Sequence, residues 1–156
     1  MTRISFVRTP VRDLHVMRTV LLIVQSFLAV NAIAGGLLLM SAPDGGLLRL
    51  PRDFMHSTLF ADFLWPGAIL FGVLGLGHLV GVWLTLRRSS IAARIALVLG
   101  AGTLIWIGAQ VLMTERFWLQ GLIAALGLVE LVLGARLPRY DGAGGFNPPG
   151  GAAVDP

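Results

Sequence analysis

The sequence predicts an all-α fold, an integral membrane four-helix bundle with its N- and C-termini cytoplasmic. Three observations carry that expectation. Hydrophobic residues make up 56% of the 156-residue chain and charged residues only 13%, with a mean hydropathy of +0.82, whereas soluble domains are about a quarter charged. Four apolar runs, at residues 19–40, 63–86, 95–113 and 117–135, approach the ~20 residues that a helix needs to cross hydrocarbon. The arginines fall at the ends of these runs. The runs are continuous rather than alternating, which selects helices over barrel strands, because each helix satisfies its own backbone groups.

Residues 1–18 read as a cytoplasmic tail carrying Arg3, Arg8, Arg12 and Arg18. With the apolar run that follows and the small-residue site Ala32-Ile33-Ala34, this start has the parts of a secretory signal. Apolar sequence continues through Gly35-Gly36-Leu37-Leu38-Leu39-Met40, however, past the length of a signal core, so a retained span is expected. Pro43-Asp44-Gly45-Gly46 is a turn signal that ends it. The rest of the first loop, through residue 62, mixes charged and bulky apolar residues suited to the membrane interface. Asp62 is placed to cap the second helix, whose early Pro66-Gly67 falls where few backbone donors need internal partners. Arg87, Arg88 and Arg94 mark the second loop. The third, around Thr114-Glu115-Arg116, is so short that the third and fourth helices must be antiparallel neighbours. The four-helix transmembrane domain thus covers 19–137. The glycine- and proline-rich stretch 138–156 reads as a disordered cytoplasmic tail.

Orientation follows from the arginines, which are the only basic residues besides three histidines. Nine lie on one side (Arg3, Arg8, Arg12, Arg18, Arg87, Arg88, Arg94, Arg136, Arg139) and three on the other (Arg49, Arg52, Arg116). The richer side faces the cytoplasm by the positive-inside rule. Spread along helix ends, the net charge of +4 suits anionic lipid headgroups and argues against nucleic acid. The expected partners are the lipid bilayer and a membrane-protein partner or a second copy of the chain. Small residues four apart support close helix packing: Ala68/Gly72 and Gly77/Gly81 in the second span, Ala92/Ala96/Gly100 in the third, Gly121/Ala125 in the fourth. They serve either one intramolecular bundle or, along Gly77/Gly81, a homodimer seam.

No cysteine is present, which removes disulfides, thiolate metal sites and thiol catalysis. His15, His56 and His78 are too dispersed along the expected topology for a metal site. Gly72, Gly75 and Gly77 lie inside an apolar span rather than in a phosphate-binding loop. No catalytic, cofactor-binding or metal-binding residue, and no cofactor, is expected. What stands out is a candidate intramembrane polar cluster: Gln25, His78 and Glu130. Polar and ionisable groups are expensive in a membrane, and a rise of ~1.5 Å per residue puts each of these three roughly 9–13 Å from its cytoplasmic arginine. They therefore fall at similar depth on three helices. Three readings stay open: a proton-holding site with Gln25 as orienting partner, a hydrogen bond between helices with no further role, or Glu130 snorkelling toward Arg136. Asn31 and Gln110 read as structural.

The favoured functional expectation is a non-enzymatic membrane protein, an accessory or structural subunit of a membrane complex, since nearly all of the chain is invested in helices. The alternative is a small proton-coupled carrier or small-ligand-binding bundle using Glu130 and His78. A cavity reaching those residues would favour the alternative, and a tightly packed bundle the subunit.

The stretch Phe60-Ala61-Asp62-Phe63-Leu64-Trp65-Pro66-Gly67-Ala68-Ile69-Leu70-Phe71, with Ile105-Trp106-Ile107-Gly108-Ala109-Gln110 and Trp118-Leu119-Gln120, resembles small bacterial four-span membrane proteins of uncharacterised function. At the coarser level of four short helices the chain is also similar to DoxX-type proteins. The resemblance implies a four-helix fold in a bacterial inner membrane and transfers no catalytic residue.

Overall fold

In a computed structural model, which describes residues 11–48, 60 and 62–137, four helices account for nearly all of the described residues. We label them α1 (Val11–Ser41), α2 (Leu64–Leu86), α3 (Ala92–Met113) and α4 (Trp118–Arg136). All four are long and apolar enough to cross a membrane. Residues 1–10 of the amino-terminal tail, the interfacial part of the first loop at 49–59 and the tail at 138–156 lie outside the described residues.

The helix α1 is already formed at Val11, the first described residue, two turns ahead of the apolar run and inside the segment expected to be a tail. Hydropathy marks where a helix becomes apolar, not where it starts. Between Val11 and Thr19 there is no glycine or proline to stop it, and Asp13 in the first turn suits the positive end of the helix dipole. At the far end, Gly45 takes a left-handed φ of 77°, and Asp44 Oδ1 accepts from the Gly46 N–H at 3.0 Å, turning the chain. Asp62 Oδ1 accepts from the Leu64 N–H at 3.0 Å, so it serves the start of α2 from just before the cap position. The α2–α3 turn closes with Ser89 N–H on Leu84 O and Arg88 N–H on Thr85 O. That is the paired pattern of a Schellman ending, and it puts a non-glycine residue, Arg88, at φ 52°. Between α3 and α4, Gln120 Oε1 accepts from the Phe117 N–H at 3.1 Å and orders the short link.

The helices run up and down in ring order. The close pairs are α1 with α2 and α3 with α4, while α1 with α4 and α2 with α3 touch more lightly. The helices α2 and α4 thus face each other diagonally. Buried positions on α1 (Leu21, Gln25, Leu28, Ala32, Gly36, Leu39) recur every three or four residues although the helix is apolar all round. Where helices come closest, small residues make the seam. A Cβ built on Gly36 would lie 2.7 Å from Gly67 O of α2, and one on Gly100 would lie 2.8 Å from Gly127 O of α4. Gly81 is also used within the chain: its Cβ would meet Leu99 Cδ1 at 2.8 Å and Gln25 Nε2 at 2.9 Å. The Gly77/Gly81 pair therefore packs against this chain's own helices. Outside, large apolar side chains such as Val98, Ile105, Leu112 and Trp118 are exposed, far more than the surface of a water-soluble monomer carries.

One stretch of α2 departs from α geometry. Leu70–Gly75 is π-helical, a wider turn bonded i to i+5, just before His78. Such turns occur mostly as single bulges and often at functional sites.

Candidate buried polar cluster and cavity

The three polar residues singled out from the sequence meet in the bundle interior. Glu130 on α4 is 0% exposed, Gln25 on α1 0% and His78 on α2 1%. Gln25 Nε2 donates to Glu130 Oε1 at 2.9 Å, and His78 Nε2 lies 3.0 Å from Glu130 Oε2. The carboxyl thus bridges α1 and α2 from the opposite corner of the ring. It does not reach out toward Arg136; both of its oxygens are engaged inward. Gly127 and Gly134, three and four residues away on the same face, let α3 approach: their Cβ atoms would meet Thr103 Cγ2 and Leu97 N, each at 2.9 Å. The room they make serves the α3–α4 seam rather than His78.

A fourth member, Thr85, was not foreseen. Its hydroxyl donates to Gln25 Oε1 at 3.1 Å, which fixes the Gln25 amide so that its Nε2 faces Glu130. The sequence did hold a signal for it: Thr85 is seven residues after His78, two turns along the same face of α2.

Hydrogen-bond bookkeeping defines the protons. His78 Nδ1 lies 2.6 Å from Leu74 O. A carbonyl only accepts, so Nδ1 carries hydrogen. The Nε2–Oε2 contact then needs one further proton, held either as imidazolium facing carboxylate or as neutral imidazole facing carboxylic acid. The pair is neutral in both forms, as a site shut away from water demands. Removing that proton would set a lone pair against a carboxylate, and adding another would leave an isolated cation. The contact is therefore built around one shared proton. The carbonyl that orients the ring belongs to the π-helical turn, so this departure from α geometry and the ring orientation are parts of one local arrangement.

Beyond His78, on the side away from the clustered arginines, the bundle is hollow. A cavity of about 270 Å³ extends from His78 past Leu74, Ile107 and Pro66 to Phe117 and Gln120. An apolar cavity of about 150 Å³ suffices to bind benzene. The expected structural residues Asn31 and Gln110 line it too; Asn31 Nδ2 donates to Phe27 O at 2.9 Å. Two atoms at its wall have no partner, Thr103 Oγ1 and Trp106 Nε1. Among the described residues, no group of three or more His, Asp or Glu side chains could hold a metal ion.

Neither a family model, nor a curated protein, nor a solved structure matches this chain. The class it belongs to is defined by its own geometry: a four-helix bundle of membrane-crossing length, with a buried Gln–Glu–His–Thr network beneath an apolar cavity.

Proposed function

We propose that the protein is an integral, multi-pass protein of a bacterial inner membrane, with both termini cytoplasmic, that binds a small lipophilic ligand in its cavity. The nine-to-three arginine asymmetry supports the orientation. In that orientation the cavity occupies the outer half of the membrane and His78, backed by Glu130, forms its floor. The bundle acts without enzymatic chemistry: it binds, and the shared proton gives ligand occupancy a means of coupling to proton exchange, as in a small proton-coupled carrier.

The observation that carries this reading is the cavity reaching His78. An accessory or structural subunit draws its support from the investment of the chain in helices. A purely structural bundle gains nothing from a void, whose lining forfeits packing contacts, and so the cavity tips the choice to binding.

The test uses the full chain in lipid nanodiscs, titrated with naphthalene while the methyl resonance of Met113, a cavity-lining residue, is followed by NMR. Binding gives a saturable shift at low naphthalene-to-lipid ratio, and Ile107→Trp, which fills the cavity, abolishes it. A response that only grows in proportion to lipid loading, unchanged by Ile107→Trp, would discard the binding function and return the subunit reading.

A further inference from the structure

Most polar atoms around the cavity are spoken for or shut off from it. His78 holds Leu74 O and Glu130, the Gln120 amide serves the α3–α4 link, and Thr103 Oγ1 and Trp106 Nε1 are sealed from access. Asn31 of α1 and Gln110 of α3 differ. Each belongs to a stripe of lining residues that recurs every three or four positions, Leu28, Asn31, Gly35 and Leu39 on α1, and Thr103, Trp106, Gln110 and Met113 on α3. Both amides therefore lie on the cavity-facing side of their helices.

Asn31 Nδ2 donates to Phe27 O at 2.9 Å. A carbonyl only accepts, so this bond fixes which end of the amide is nitrogen and leaves Oδ1 as the free end. Among the described residues Oδ1 has no hydrogen-bond partner. It is not sealed, however: Asn31 is half-buried, and its unpaired oxygen is open to a water-sized molecule. The Gln110 amide is also unpaired and open, but it lies one turn from the end of α3, within reach of water at the membrane surface. Asn31 has no such outlet. It lies six residues beyond Gln25, about 9 Å further toward the middle of the membrane, where lipid offers no donor and an unpaired polar oxygen is costly.

We propose that the cavity binds a neutral lipophile bearing a hydroxyl, an alcohol or phenol, whose O–H donates to Asn31 Oδ1. This rests on the cavity being a binding site, and it names the class of ligand. An open acceptor favours a donor, so ketones, ethers and plain hydrocarbons are the poorer ligands. A cationic amine would also donate, but no carboxylate lines the cavity, and both oxygens of Glu130 are engaged behind His78. Scaling from benzene in about 150 Å³, a volume of about 270 Å³ takes roughly ten to twelve non-hydrogen atoms, a bicyclic ring system. The analogue without the hydroxyl leaves Oδ1 unpaired, a discrimination that a purely apolar pocket cannot give.

The experiment compares 2-naphthol with 2-methylnaphthalene, which has the same shape and no oxygen, and with 2-methoxynaphthalene, whose oxygen only accepts. Each is titrated into the protein in nanodiscs and corrected for its partitioning into empty nanodiscs. The readout is the side-chain amide resonance of Asn31, assigned by its loss in Asn31→Leu, together with the Met113 methyl shift. 2-Naphthol is expected to bind about tenfold more tightly than either analogue and to move the Asn31 amide, while the analogues move only the methyl. In Asn31→Leu the advantage of 2-naphthol should fall to about threefold or less with 2-methylnaphthalene affinity unchanged, which also certifies that the variant is folded. Should the variant fail to fold, the ranking of the three probes and the Asn31 shift in the unaltered protein decide alone. Binding of 2-naphthol no tighter than that of either analogue, with no Asn31 shift, would overturn the hydroxyl site and leave the cavity reading intact. Saturable binding of none of the three would overturn both.

Discussion

The two halves of this bundle, built from similar residues, are packed in opposite ways. On the arginine-rich side of the polar layer, Leu21, Ala93, Ala96 and Leu137 form a closed core, with Leu21 and Ala96 at 0% exposure. On the other side, helices of equal apolarity surround a cavity of about 270 Å³. The difference lies in the small residues. Ala93, Ala96 and Gly100 of α3 meet Gly134 and Gly127 of α4, and backbones come into contact. Further along the same helices Gly108 and Gly121 are exposed on the outside of the bundle and have nothing within 4 Å of where a Cβ would be, so they draw no helix in. Small residues close helices only where they face each other across a seam. The polar layer sits at the boundary, where the seam is tight enough to exclude water and the cavity begins.

The comparison can be tested from its largest consequence down. With no native cysteine to interfere, Ser57→Cys in the first loop should react with an impermeant thiol reagent in intact cells, and Ser90→Cys in the second loop only after lysis. The reverse pattern would put the hollow half on the cytoplasmic side of the membrane, and equal labelling of both would break the proposed topology.

Next in size is the layer between the halves. Glu130→Leu strands both Gln25 and His78 and should lower stability by about 2–4 kcal/mol in reversible unfolding in bicelles. Glu130→Gln can keep both contacts, accepting from Gln25 and donating to His78, and should cost under about 1 kcal/mol. Equal losses for the two substitutions would mean that charge, not hydrogen bonding, holds the layer. Gly81→Ala should disturb the same layer through Gln25, with which its methyl would collide.

The halves themselves are contrasted by one substitution made twice. Ala96→Leu overpacks the closed core and should cost about 1–3 kcal/mol. Ala109→Leu, at the cavity wall, should be neutral or stabilising by up to about 1 kcal/mol while displacing naphthalene. Matching penalties would show that the outer half has no space to fill. The smallest effect belongs to the tight turn on the arginine side: Arg88→Gly relieves a left-handed backbone conformation and should stabilise by roughly 1 kcal/mol, read by the same unfolding assay.

Residue chemistry by itself determined the all-α class, the number of membrane-length helices and three candidates for the polar layer. Apolar runs of a given length have one stable form in lipid, and Gln25, His78 and Glu130 stand out because each is the costly exception in such a run. Their common depth was legible from distances to the nearest arginine, because a helix has a fixed rise. That the chain is already helical at Val11 was not, because helix continuity and apolarity are different properties. Which faces turn inward could not be read either, since helices apolar all round carry no amphipathic signal. Only the tertiary structure decided that α4 lies diagonal to α2, that Gly81 closes on Gln25, that Thr85 joins the network and that Thr103 and Trp106 are left unpaired beside a void. Those outcomes depend on which small residues face one another across a seam, and facing is a relation between helices that no single segment of sequence contains.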